Sequence, residues 1–150
     1  MVEKTKLFKE IVEDLLKELE LKVEVEVTQD EDLVSVQLKT DEPGILIGYH
    51  GQTLAALQLV VALMGFRKLK EWTRIVLNVG DYRQKRKEVL ERMAEMISQK
   101  VISSGKAQDL PPMPPIERRI VHLFLAENGK VESFSEGEGR DRHVVVKLKS

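Results

Sequence analysis

The chain has 150 residues with 42% hydrophobic and 33% charged side chains, a net charge of -1 and no cysteine. Such a length buries a core as one domain or two small ones. Disulfides and thiolate metal sites are excluded, and a reducing compartment, the cytoplasm, is the expected location.

The near-zero net charge hides a segregation. Residues 1–43 carry 6 Lys/Arg against 13 Asp/Glu, residues 44–106 carry 11 against 5, and residues 107–150 carry 7 of each. The basic middle is where a polyanion would be attracted. Met1–Lys6 lacks the apolar core of a signal peptide, and no apolar stretch is expected to reach across a bilayer.

Leu7, Phe8, Ile11, Val12, Leu15, Leu16 and Leu19 recur at helical spacing and predict an amphipathic helix over 3–20. Val23, Val25 and Val27, the turn Asp30-Glu31-Asp32, then Val34, Val36 and Leu38 predict a β-hairpin with one buried face. Asp41-Glu42-Pro43-Gly44 breaks the strand, and a short helical turn leads into Gly48-Tyr49-His50-Gly51. This Gly-x-x-Gly opens a helix over 52–66 that is apolar nearly all round, expected to be central and largely buried. Glycines allow close backbone approach, and a helix N-terminus favours an anion, so phosphate is the candidate ligand. No Gly-Lys-Ser/Thr follows and no third glycine completes a dinucleotide fingerprint.

A strand over 74–79 and a long helix over 82–102 come next, the helix presenting Arg83, Lys85, Arg86, Lys87 and Arg92 as a basic face. Ser103-Ser104-Gly105 ends it, and the stiff run Pro111–Pro115 precedes a helix over 116–127. Two strands, 131–135 and 142–148, close the chain. The domain boundary is expected near Gly80, giving domains 1–80 and 81–150, the second including the long helix.

The order helix, strand, strand, short helix, Gly-x-x-Gly, helix, strand resembles a KH domain of the prokaryotic type II form. That resemblance implies that Gly48 and Gly51 clamp single-stranded nucleotides whose bases lie over an apolar groove. Ile47 and Leu54 would belong to the core and groove wall. Tyr49, His50 and Gln52 complete the loop, with Tyr49 and His50 standing where Lys or Arg is common. Lys68, Lys70 and Arg74 are candidates to supply the missing charge.

Arg118 and His122 lie four residues apart on the helix after the prolines, so they share a face and suit one phosphate. With Arg119, the run Ser135–Glu138 and Arg142 before Val144-Val145-Val146, this segment resembles the Arg-x-x-x-His ("R-three-H") single-strand nucleic-acid-binding domain. A KH domain followed by this domain resembles the Jag family, also called SpoIIIJ-associated or KhpB. The fold class implied is α+β, a type II KH domain followed by a small α/β domain. Longer family members carry an additional N-terminal domain and linker, and roles belonging to that segment are not carried over.

The resemblance implies a single-stranded RNA-binding protein, with single-stranded DNA as a related ligand. It also implies an RNA chaperone or regulator linked to cell elongation and division, with a small KH-only partner protein. Two weak sites gain from effective concentration where one strand engages both. Neither a cofactor nor a catalytic or metal-binding set is expected: the histidines His50, His122 and His143 show no metal-ligand spacing. A protein-interaction scaffold is the alternative, and a nuclease using the Arg/His pair to stabilise a phosphodiester transition state is the remote one.

Overall fold

The computed structural model describes residues 2–150. Helix α1 (Val2–Glu18) lays Phe8, Ile11, Val12 and Leu16 against a three-stranded sheet of β1 (Glu24–Asp30), β2 (Leu33–Lys39) and β3 (Arg74–Val79). β1 and β2 pair antiparallel, with Val25 opposite Leu38 and Val27 opposite Val36, so the alternating valines share one face. The hairpin turns on Glu31 and Asp32, and Glu31 takes φ +50°. β3 joins β2 in parallel, Ile75 beside Val34 and Leu77 beside Val36. A parallel partner requires a crossover. It is made by α2 (Pro43–Ile47), a single 3₁₀ turn at Tyr49–Gly51 and α3 (Gln52–Leu69).

α3 departs from expectation. Leu54, Val61 and Gly65 are buried and Leu57, Ala62, Met64 and Leu69 pack on the core partly buried, while Ala55, Ala56, Leu59, Val60 and Leu63 are exposed. A helix lying on one face of a sheet buries one side only, whatever its composition. A second expectation is also corrected: the run Pro43–Leu69, 27 residues, is long and apolar enough by length and composition to cross a membrane. It is not one continuous helix, however, because left-handed residues at Gly48, His50 and Gly51 interrupt it.

The chain divides into two units, Met1–Arg83 and Gln84–Ser150, so the division falls inside α4 (Tyr82–Ser104) rather than at Gly80. The first turn of α4 belongs to the first unit for a physical reason. The Arg83 guanidinium donates to the Leu77 carbonyl oxygen (2.8 and 3.2 Å) and to Gln58 Oε1 (3.1 Å). That same Gln58 oxygen accepts the Leu77 amide at 3.0 Å.

In the second unit, α4 contributes Leu90, Ala94 and Val101 to a core completed by Leu110, Met113, Val121, Leu125, Val131, Val144 and Val146. Those from Val121 onward lie on α5 (Pro115–Ala126), β5 (Val131–Glu136) and β6 (His143–Leu148). A third strand, β4 (Gln108–Asp109), is two residues long and pairs with β6, giving the order β4-β6-β5, all antiparallel. Buried Glu117 on α5 takes a two-pronged ion pair from Arg86 on α4, at 2.7 and 3.0 Å.

Two stability tests follow from this packing. Helix propensity alone would make Gly65→Ala stabilising by about 1 kcal/mol. A Cβ at Gly65 would lie 2.5 Å from the Phe8 ring, which is fully buried. Overpacking should therefore win, with a net loss of about 1–2 kcal/mol in urea unfolding followed by emission of the sole tryptophan, Trp72. Arg86→Met removes the two-pronged donor of a buried carboxylate and should cost about 3 kcal/mol, measured by circular dichroism in urea. Arg86→Met combined with Glu117→Leu should recover much of that loss, since the buried carboxylate is gone as well.

Candidate nucleic-acid interface

The Gly-x-x-Gly loop is shaped by three left-handed residues in four. Gly48 sits at φ +70°, ψ -170°, a region essentially closed to side-chain-bearing residues, and a Cβ there would overlap the Thr53 side chain. Gly51 (φ +78°, ψ 12°) caps α3, and a Cβ there would meet the Tyr82 hydroxyl at 3.2 Å. His50 takes φ +51°, and its ring stacks on the exposed Tyr49 ring at 3.9 Å between centroids. Glycine at 48 and 51 is thus required by the fold itself.

The loop amides are only partly open. Gly48 donates to the Gly44 carbonyl (2.9 Å), Gly51 to the Gly48 carbonyl (3.4 Å), and the Gln52 amide to the Tyr49 carbonyl. A tight 3₁₀ turn consumes N–H groups that a looser loop would present. What remains toward solvent is the positive end of α3, the Tyr49 hydroxyl and the half-buried His50 ring, with no acidic side chain in the loop.

Lys68, Lys70 and Arg74 do not join this loop. α3 is 18 residues long, so at 1.5 Å per residue its ends lie about 25 Å apart. Lys68 and Lys70 stand at the far end, and Arg74 begins the strand that follows.

Arg118 and His122 do come together. The Arg118 guanidinium donates to the Met113 carbonyl (3.1 Å) and to Ser135 Oγ (3.0 Å). His122 Nε2 lies 3.0 Å from the same Ser135 hydroxyl, and Nδ1 lies 2.7 Å from Ser133 Oγ. In one neutral tautomer Ser135 donates to Nε2 and Nδ1–H donates to Ser133; in the other Nε2–H donates to Ser135 and Ser133 donates to Nδ1, and Arg118 donates to Ser135 in both. Burial lowers the His122 pKa, and the nearby Arg118 charge lowers it further. Both side chains remain half-exposed, and among the described residues neither is ion-paired to a carboxylate. A shallow pocket beside His122 is lined by Leu125, Asn128, Val131, Ser133 and Lys149.

Ser133 and Ser135 are the site residues that sequence reasoning missed as ligands. The signal was present in the alternation Val131, Ser133, Ser135, which turns all three to the face of β5 that α5 covers. Arg119 is exposed beside the cluster. Arg142 is partly committed to structure: its Nη1 donates to the Gly137 carbonyl at 2.8 Å, holding the turn before β6.

The expected basic face on α4 is smaller than its sequence suggested. Arg83 is drawn into the first unit, where burial lowers its pKa, and Arg86 is spent on Glu117. Lys85 and Arg92 are exposed, and Lys87 makes only a loose contact with Glu91 at 3.9 Å. A groove at the end of α1, where Glu13, Asp14, Glu20, Glu24 and Asp41 mix with Lys17, Lys22 and Lys39, holds none of these residues. Among the described residues, no group of three or more His, Asp or Glu side chains is placed to hold a metal ion.

Comparison with known proteins gives this geometry a family. The model for the KhpA/KhpB KH domain matches residues 5–77, and that for the R-three-H domain matches residues 88–148. The chain is 41% identical over 127 residues to the RNA-binding protein KhpB of Clostridium symbiosum, covering 85% of this chain and 57% of that protein. It is 36% identical over 135 residues to the protein of the same name from Lactiplantibacillus plantarum, covering 90% of this chain and 42% of that one. With the Bacillus subtilis protein of that name the figures are 33% over 130 residues, 85% and 62%. The chain thus spans roughly half the length of the curated relatives it matches. With a KH domain of the KhpA/KhpB kind leading into an Arg-x-x-x-His domain across nearly all its residues, the chain belongs to the KhpB (Jag) family.

Proposed function

We propose that this protein binds single-stranded RNA in the cytoplasm through two surfaces, the Gly48–Gly51 loop and the Arg118–His122 cluster. The carrying observation is the second one. A half-buried guanidinium and imidazole share a hydroxyl and face solvent with no carboxylate partner among the described residues, an arrangement that a phosphate oxygen completes. When a phosphate arrives and His122 gains a proton, both ring nitrogens become donors. Ser135 then accepts from Nε2–H as well as from Arg118, which leaves its own O–H to donate to the ligand.

The loop serves a different role. Its glycines let a sugar–phosphate backbone approach α3 closely, while Tyr49 offers a stacking face. The names of the relatives, RNA-binding protein KhpB, support RNA as the ligand. Post-transcriptional regulation tied to cell elongation, and a small KH-only partner protein, are the cellular role and partner that the family resemblance supports.

Because Gly48 and Gly51 are needed for folding, the loop is best tested between them, at exposed Tyr49 and half-buried His50. Tyr49→Asp with His50→Asp should weaken binding of a labelled single-stranded RNA by roughly tenfold or more, since like charges now face the phosphates. Asp tolerates the left-handed conformation at position 50, so circular dichroism should be unchanged. Unaltered anisotropy-derived affinity would remove the loop from the interface.

The lowered His122 pKa sets the direction of a pH effect. Without ligand His122 is neutral at pH 7, and a phosphate favours its charged form, so binding takes up a proton. Affinity should rise as the pH falls below 7 and level off beneath the depressed pKa of the unbound protein, with His122→Gln abolishing this component. Stability runs the other way. The unfolded chain binds the proton more readily, so stability is lost as pH drops from the ordinary histidine value toward the depressed one. An identical pH profile in His122→Gln would refute a titrating role for this ring.

A further inference from the structure

Displaced from the loop, Lys68, Lys70 and Arg74 fall around a feature that sequence reasoning passed over. Trp72 is 60% exposed, and one face of its indole stacks on Phe66, with centroids 4.6 Å apart and planes inclined by 17°. A ring covered on one face and still this accessible has its other face open. Arg67, Lys68, Lys70 and Arg74 surround it in sequence, all exposed, and among the described residues none of the four is in an ion pair. The one acid in the segment, Glu71, is held by Lys4 at 2.7 Å.

Structural roles account for only part of this patch. Arg67 and Lys68 in the last turn of α3 offset the helix dipole. That does not explain a solvent-facing indole or Arg74, which lies beyond the helix. α3 also exposes Leu59, Val60 and Leu63, an apolar strip of the kind a protein partner would cover. Around Trp72 the surroundings change: an aromatic platform stands among four exposed cations, the composition that receives stacked bases and their flanking phosphates.

We propose that Trp72, backed by Phe66 and flanked by Arg67, Lys68, Lys70 and Arg74, is a third contact for single-stranded RNA. It takes one base on the open indole face, at the end of α3 opposite the Gly-x-x-Gly loop. The proposal rests on the RNA-binding reading above and extends it to a surface lying outside both sites named there.

Because Trp72 is the sole tryptophan, its emission reports this patch alone. Full-length protein is titrated with a mixed-sequence single-stranded RNA 20-mer and, separately, with inorganic polyphosphate as a baseless polyanion. RNA binding is followed in parallel by gel mobility. The expected result is saturable quenching by RNA and little change with polyphosphate. Trp72→Ala should weaken RNA binding by about tenfold and Trp72→Phe should restore most of it, as stacking on an aromatic is worth roughly 1–3 kcal/mol per base. Lys68→Ala with Lys70→Ala should flatten the dependence of log affinity on log salt by about 1.4.

RNA bound in the gel without quenching, or an unchanged affinity in Trp72→Ala, overturns this contact and leaves the RNA-binding reading standing. Equal quenching by polyphosphate also overturns it, because the indole would then be sensing charge rather than a base. No RNA shift with the unaltered protein refutes the RNA-binding reading itself.

Discussion

The Arg86–Glu117 ion pair decides where the second unit points its chemistry. Glu117 is 5% exposed and receives both prongs of the Arg86 guanidinium, so the first turn of α5 is clamped to α4 with a fixed rotation. One residue on, Arg118 is swung about 100° around the helix, out of the core and over Met113 and Ser135. Four residues later His122 shares that face. A buried pair contributes little net stability over an apolar substitute, but it is costly to break. Here the same fixed rotation aims two basic side chains at the serines of β5.

In the first unit the equivalent constraint is backbone conformation. The chain must leave α2 and enter α3 within four residues, and it does so by passing through positive φ at Gly48, His50 and Gly51. Thr53 and Tyr82 fill the space that side chains at 48 and 51 would need. The two missing Cβ atoms that let α3 pack are the same two that the proposed approach of a phosphate would use, and Tyr49 and His50 stand between them where basic residues are common.

Periodicity made most elements legible. The valine alternation in β1 and β2 and the i, i+4 repeat in α1 each have one satisfactory solution, and both appear within about two residues of expectation. β4 was invisible because two residues carry no period. The burial of α3 was overestimated because an all-apolar composition says nothing about how many sides a helix has covered. Arg83 and Arg86 read as solvated charges for a related reason. Their partners lie on other elements, Leu77 and Gln58 on one side and Glu117, 31 residues away, on the other. Local patterns do not carry such contacts. The Arg118–His122 face was legible from spacing alone, while Ser133 and Ser135 needed the strand to be set beside the helix.

The Arg83 guanidinium ties the integrity of the leading module to where the chain is cut. A fragment ending at Gly80 would strip the Leu77 carbonyl and Gln58 of their shared donor and remove the phenol ring behind Gly51. Its β3 edge and Gly-x-x-Gly loop would both be left frayed. Excision of that module has to keep the opening turn of α4, so that the piece a biochemist would call the linker is, in part, a wall of the glycine loop.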